Sequence, residues 1–154
     1  MKEITITKTR KETEKFAARF SRRIQKLKSA KRALVIGLIG NLGGGKTIFA
    51  KGFAKGLGIK EIVVSPTFVL MRIYALRVTR YARLIHIDAY RLEKSQELAE
   101  LGFGNLLRDP RNIILIEWAD RVKKILPKKT ILIQFEIMKK NQRKIFVKNN
   151  YGER

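Results

Sequence analysis

Residues 40–47 read Gly-Asn-Leu-Gly-Gly-Gly-Lys-Thr, which matches the pattern G-x-x-x-x-G-K-[ST] of phosphate-binding loops. An apolar run of strand length, residues 33–39, precedes the loop. Apolar residues at helical spacing follow it: Ile48, Phe49, Phe53 and Leu57. Glycines let successive backbone N–H groups turn toward one anion, and the helix start adds its own N–H groups and positive dipole end. The sequence therefore predicts strand, loop and helix, with Lys46 directed to the β- and γ-phosphates and Thr47 to Mg²⁺.

Length and composition limit the class of protein. The 154 residues suit one domain with its own core, and no second domain is needed. The absence of cysteine excludes a disulfide framework, a Cys-ligated metal site and a thiol nucleophile. No apolar run approaches the length of a membrane span, and the N-terminus has no signal-peptide core. We therefore expect a soluble cytoplasmic protein with no membrane segment.

The formal charge of +22 is concentrated at the two ends of the chain. Residues 1–32 and 121–154 each contribute +9, and the middle contributes only +4. A basic chain is the expected electrostatic footprint of nucleic-acid binding. The basic ends are not interleaved with aromatic residues, however, and a lysine-rich surface also serves solubility. Direct RNA contact and a solvated surface both remain open.

Strands alternate with helices along the chain. Residues 2–7 alternate like a strand, and Thr9 with Glu12 suggests a capping box for a helix reaching about Lys28. The later segments are predicted as a hairpin over 69–74 and 84–88, a helix over 96–107 capped by Ser95, a buried strand over 113–116, a short helix over 122–126, and a hairpin over 131–137 and 144–147. Gly52 and Gly56 inside the helix after the loop suggest that this helix packs closely on the sheet.

This order predicts an α/β fold, a three-layer sandwich of the P-loop NTPase type with a largely parallel central sheet and antiparallel hairpin strands. Ligands on such sheets bind at the carboxyl ends of the strands. Asp88 and Glu117 each stand at such an end. One should hold Mg²⁺ and the other orient an attacking water, and we assign the metal to Glu117 because its more apolar strand is expected to be central. His86 is either a satisfied polar residue on its strand or a catalytic group.

Four motifs in order resemble the TsaE family, also called YjeE. They are the loop at 40–47, Ser65-Pro-Thr-Phe68, His86-Ile-Asp-Ala-Tyr-Arg91 and Glu117-Trp-Ala-Asp120. The resemblance covers roughly residues 33–137. Family members are small bacterial P-loop ATPases of the pathway that places threonylcarbamoyl-adenosine in tRNAs. The resemblance implies a single P-loop ATPase domain over residues 1–154 that works with the TsaB and TsaD proteins, with tRNA met directly or through these partners.

The motifs and the resemblance together give a set of expected site residues. ATP and Mg²⁺ are the expected cofactors of a Mg²⁺-dependent ATPase of low intrinsic activity. The expected catalytic residues are Lys46, Asp88 and Glu117, and the expected metal ligands are Thr47 and Glu117. The resemblance adds a switch-like segment at Ser65-Pro66-Thr67 and places Trp118 by the nucleotide. The expected nucleotide-binding residues are Asn41, Leu42, Gly43, Gly44, Gly45, Lys46, Thr47, Ile48, Thr67 and Trp118.

The chain departs from the family pattern within the loop. The family often has Asp at position 41, Ala at 44 and a second hydroxyl residue at 48, where this chain has Asn41, Gly44 and Ile48. The first two changes leave the phosphate cradle intact, and the third removes a hydroxyl available for nucleotide contact while Ile48 itself stays in the expected set.

The alternative function is a small-molecule kinase built on the same loop. A kinase needs an acceptor pocket and usually an arginine-bearing lid over the phosphates. The region Arg72–Arg91 is the one candidate, but its residues alternate like a hairpin and include the His-x-Asp-x-Tyr-Arg motif. A third interpretation, a nucleic-acid-binding protein with a decayed nucleotide site, conflicts with the presence of both Lys46 and Thr47.

Overall fold

A computed structural model describes residues 2–28, 30–61, 63, 70–77 and 79–148. Its strands are β1 Lys2–Thr7, β2 Leu34–Gly40, β3 Met71–Ala75, β4 Arg83–Asp88, β5 Asn112–Glu117, β6 Ile131–Ile137 and β7 Arg143–Lys148. Its helices are α1 Arg10–Ile24, α2 Lys46–Gly56, α3 Ser95–Glu100 and α4 Phe103–Arg108, with a 3₁₀ helix over Ala119–Ile125. Among these residues no helix has the length and apolar character needed to cross a membrane.

The strands form one sheet in the order β1-β7-β6-β2-β5-β4-β3. β6, β2, β5 and β4 run parallel in the centre. The antiparallel pairs β3–β4, β6–β7 and β1–β7 complete the two sides. The predicted fold class is confirmed, including the hairpins and the place of β5 directly beside β2.

Two apolar layers cover the sheet. Leu34, Ile36 and Leu38 of β2 belong to the cluster that includes α1 and α2, whereas Val35 belongs to the cluster with α3 and α4. This alternation follows the two-residue period of a strand. The first layer holds a chain of phenylalanine rings with centroids 5.6 to 6.4 Å apart: Phe16, Phe20, Phe49, Phe53 and Phe135. These rings fix α1 against α2, and α2 above β6, and so position the start of α2.

The glycines of α2 pack against α1. A Cβ added to Gly52 would lie 2.4 Å from the carbonyl oxygen of Glu14, and one added to Gly56 would lie 2.0 Å from Ser21 Oγ and 2.5 Å from Ala18 O. The prediction that these glycines serve close packing on the sheet is wrong, since the nearest atoms belong to the neighbouring helix. Without side chains at these positions the two helix backbones approach closely.

The predicted helix over 96–107 is two short helices. Gly102 separates α3 from α4 and has φ of +89°, a left-handed conformation that glycine adopts at little cost. Ser95 is the first residue of α3 and not its cap; Lys94 precedes it without a side-chain cap bond. The prediction of one continuous helix is therefore wrong.

The start of α1 agrees with its sequence signature. Glu12 N–H donates to Thr9 Oγ1 at 3.1 Å, while Lys8 N–H donates to Glu12 Oε2 at 2.6 Å. The returning bond of the capping box therefore reaches the residue before the cap. α1 ends at Ile24, earlier than the predicted end near Lys28.

Candidate nucleotide-binding site

The phosphate-binding motif forms the loop between β2 and α2, at the carboxyl edge of the parallel strands. Gly45 caps α2 in the left-handed region, with φ of +106°, which a residue bearing a Cβ adopts only under strain. The first N–H groups of a helix have no partner inside it, so this loop and helix start present free donors. The predicted strand–loop–helix unit is confirmed as a local structure.

A cavity of about 360 Å³ opens over this loop. Most of the expected nucleotide-binding residues line it: Leu42, Gly43, Gly44, Gly45, Lys46, Thr47, Ile48 and Trp118. Asn41 instead lines an adjoining cavity of about 430 Å³, to which Trp118 also belongs. Thr67 and the whole segment Ser65–Phe68 lie outside the described residues. A larger cavity of about 630 Å³ elsewhere holds none of the expected site residues and is lined mainly by charged side chains of a solvated groove.

Lys46 is the first residue of α2 and is buried. Its Nζ donates to the carbonyl oxygen of Gly40 and, at 2.9 Å, to that of Asn41. The ammonium also lies 3.9 Å from the centroid of the Trp118 ring. Burial lowers the pKa of Lys46, and the nearby carboxylates, Glu117 foremost, oppose that shift. The loop therefore holds a poorly solvated cation that an incoming anion can attract away from neutral carbonyls.

Thr47, Glu117 and His86 form a chain of hydrogen bonds that is buried at Glu117 and His86 and partly buried at Thr47. The Thr47 hydroxyl donates to Glu117 Oε1 at 2.7 Å, and His86 Nε2 lies 2.7 Å from Glu117 Oε2. Because a carboxylate only accepts, His86 carries its proton on Nε2 when Glu117 is ionised. Glu117 is 2% exposed and His86 1% exposed, so solvent screens this pair very little. A hydroxyl and a carboxylate oxygen in contact are a donor set suited to Mg²⁺.

Asp88 lies directly opposite Glu117 in the parallel register of β4 and β5. It is buried, and its Oδ1 accepts the N–H of Tyr90 at 3.0 Å. The two strand-end carboxylates thus meet at one edge, as the sequence predicts. Among the residues described, no group of three or more His, Asp or Glu side chains is arranged to hold a metal. A site of the phosphate-loop kind needs only the hydroxyl and a carboxylate from the protein, because phosphates and waters would supply the remaining ligands.

Tyr90 and Arg121 extend the aromatic surface beside the loop, where the resemblance implied only Trp118. The rings of Tyr90 and Trp118 lie 4.9 Å apart, and the Arg121 guanidinium lies 5.2 Å from the first centroid and 5.8 Å from the second. Tyr90 and Arg121 each stand within three residues of an expected site residue, which is the sequence signal that could have identified them.

Two further arginines line the same cavity. Arg10 is the first residue of α1 and Arg143 the first residue of β7. Neither belongs to a nucleotide-binding motif, and both are distant in sequence from the loop. Only the packing of α1 on α2 and the return of the last hairpin bring them there.

Comparisons with known proteins point to one family. The family model "Threonylcarbamoyl adenosine biosynthesis protein TsaE" matches residues 7–145. The tRNA threonylcarbamoyladenosine biosynthesis protein TsaE of Treponema pallidum (strain Nichols) is 38% identical over 113 residues, 73% of this chain and 80% of that protein. The protein of the same name from Bacillus subtilis (strain 168) is 39% identical over 116 residues, 75% of this chain and 70% of that one. A third, from Rickettsia typhi, is 34% identical over 139 residues, 90% of this chain and 89% of that protein. The crystal structure of Bacillus subtilis YdiB superposes with a TM-score of 0.75 at 29% identity, covering 97% of this chain and 86% of that one.

Proposed function

The chain belongs to the TsaE family, and on that premise we propose that it is the ATP-binding and ATP-hydrolysing accessory subunit of the machinery that makes threonylcarbamoyladenosine in tRNA, acting with a TsaB–TsaD complex. The observation that carries the proposal is the contact of Thr47 with Glu117 beside Lys46. It joins the hydroxyl, the carboxylate and the cation of a phosphate-loop ATPase within one cavity.

In the proposed site Lys46 leaves the carbonyl oxygens of Gly40 and Asn41 and binds the β- and γ-phosphates. Thr47 and Glu117 would hold Mg²⁺, which would supply positive charge to offset the charge that develops on the phosphates. His86 keeps Glu117 oriented by holding its second oxygen. Asp88 orients the attacking water, a role that needs a carboxylate near the loop but outside the Thr47–Glu117 contact.

We also propose that ATP binding depends on Mg²⁺ and that the intrinsic rate of hydrolysis is low. Residues 1–154 would act as one ATPase domain in the cytoplasm. Direct contact with tRNA is a separate proposal. The basic residues of α1 support it in part, since Lys11, Lys15, Arg19, Arg22 and Lys26 are all exposed at helical spacing on or just beyond that helix.

The structure gives the kinase alternative no lid in Arg72–Arg91, the segment considered for that role. Residues 71–75 and 83–88 are β3 and β4, hydrogen-bonded to each other within the sheet. Strands in a sheet do not close over a ligand as a lid does.

A pull-down with purified TsaB and TsaD tests the proposal. The wild-type protein should be retained in the presence of ATP and Mg²⁺, and a folded Lys46→Ala variant should be retained less, because its nucleotide site is damaged. Failure of the wild-type protein to associate under any nucleotide condition would refute the accessory role.

A further inference from the structure

Arg143 lies across the phosphate-binding loop. A Cβ built on Gly45 would be 2.7 Å from Arg143 Cδ and 2.8 Å from its Nε. The arginine stem therefore occupies the space beside Gly45, the residue that caps α2. Arg143 reaches this place from the opposite end of the chain, because β7 returns alongside β6, whose neighbour β2 leads into the loop.

The guanidinium of Arg143 has an N–H donor that is not hydrogen-bonded within the described structure. Its Nε is buried and has no hydrogen-bond partner among the described residues. One terminal nitrogen donates to the carbonyl oxygen of Asn141 at 3.1 Å. Arginine stays protonated, and a partly buried cation with an unsatisfied N–H is costly unless an anion pairs with it. Within the described part of the chain no carboxylate forms an ion pair with Arg143.

The charges around the cavity indicate what kind of anion fits. Among the described residues, three cations line it, Arg10, Lys46 and Arg143, against the two carboxylates Asp88 and Glu117. Both oxygens of Glu117 are already engaged, by Thr47 and His86. The surplus positive charge and the planar fork of donors suit phosphate oxygens, which guanidinium groups bind in a bidentate manner.

We propose that Arg143 binds the phosphate groups of the nucleotide, as a second cation beside Lys46 that the C-terminal hairpin contributes. The inference rests on the proposed nucleotide-binding function. It also gives Gly45 a second role: any side chain there would displace the arginine stem.

Two substitutions at the same position separate charge from packing. Arg143→Met keeps an unbranched stem over Gly45 and removes the donors, whereas Arg143→Lys keeps the charge and loses the fork. Lys144→Met is the matched control, because it removes one positive charge from the next residue of the same strand, whose side chain alternates to the other face of the sheet.

Affinity for ADP and for a non-hydrolysable ATP analogue is measured from the fluorescence of Trp118, the single tryptophan of the chain, with inorganic pyrophosphate as competitor. A hydrogen bond to a charged group corresponds to roughly a tenfold to hundredfold change in affinity. Arg143→Met should lower the affinity for all three ligands by that factor, and Arg143→Lys should have an intermediate affinity. The affinity of Lys144→Met should stay within about twofold of the wild-type value. Without nucleotide, none of the three variants should have a lower thermal midpoint, because Arg143→Met removes a buried N–H that lacks a partner and Lys144→Met changes a side chain on the other face.

Two results would overturn the inference. The first is Arg143→Met binding ADP and pyrophosphate as the wild-type protein does. The second is a loss for ADP without one for pyrophosphate, which would place the contact away from the phosphates. In both cases wild-type binding and its loss in Lys46→Ala would leave the proposed function standing. A wild-type protein that binds none of the three ligands would refute the proposed function, and the role of Arg143 with it.

Discussion

His86 is predicted to control the metal site through Glu117. Replacing it by Leu removes the one donor to Glu117 Oε2 that the described structure shows and leaves that oxygen buried. A hydrogen bond to a charged group contributes about 1.5–3 kcal/mol, and at 1% and 2% exposure solvent replaces little of it. Substituting a residue that orients a metal ligand typically lowers metal affinity or activity by about tenfold to a hundredfold. We expect His86→Leu to lower Mg²⁺-dependent ATP affinity by such a factor and to lower the free energy of unfolding by about 1–3 kcal/mol.

The assay is an ATP titration with and without Mg²⁺, followed by Trp118 fluorescence, together with urea unfolding. His86→Gln is the matched variant, because its amide can still donate to the carboxylate, and it should recover part of both losses. Binding without Mg²⁺ should change much less than binding with it. A His86→Leu protein that folds and binds ATP and Mg²⁺ like the wild-type protein would refute the orienting role of His86.

Three more predictions concern the carboxylates, the helix packing and the surface charge. Glu117→Ala should weaken Mg²⁺-dependent ATP binding, and Asp88→Ala should mainly lower the rate of ATP hydrolysis. ATP affinities and hydrolysis rates of both variants test these roles, and the reverse pattern would exchange them. Gly52→Ala should lower the free energy of unfolding by about 1–3 kcal/mol, because the added Cβ would overlap Glu14 despite the better helix propensity of alanine. Gly104→Ala, whose Cβ would have no atom within 4 Å, should raise the free energy of unfolding by about 0.5–1 kcal/mol. Urea unfolding measures both. Equal effects at the two glycines would contradict the packing argument. If the basic ends bind tRNA through six phosphate contacts, raising the salt from 50 to 200 mM should weaken tRNA binding about a thousandfold. The double substitution Arg22→Glu and Lys26→Glu should reduce tRNA binding without changing ATP hydrolysis. Undetectable tRNA binding at low salt would exclude direct contact. Arg23 is left unchanged because it pairs with Glu3 at 2.5 Å.

The parts of the fold that the sequence predicts are those with a local signal. The glycine-rich loop between an apolar run and a helical pattern predicted β2 and α2, and alternation predicted the hairpins of β3–β4 and β6–β7. The apolar run at 113–116 predicted a central strand because both of its faces are buried. Asp88 and Glu117 could be placed together because parallel strands end at one edge.

The errors and omissions have physical causes that act over long distances. Whether Gly52 packs on a sheet or on a helix depends on where α1 docks, which no local pattern records. The break at Gly102 is the local exception, since the predicted helix contains both Gly102 and Gly104 and the first of them adopts a left-handed conformation. Arg10 and Arg143 reach the loop only through tertiary packing.

The most direct test is an equilibrium titration of ATP in the presence of Mg²⁺ against the wild-type protein and Lys46→Ala. Unfolding curves first establish that both proteins are folded, since Lys46 is buried. We expect saturable binding that depends on Mg²⁺ for the wild-type protein and none for the variant, because the variant lacks the cation that the loop holds for the phosphates. Equal ATP binding by two folded proteins would contradict the assignment of residues 40–47 as a phosphate-binding loop.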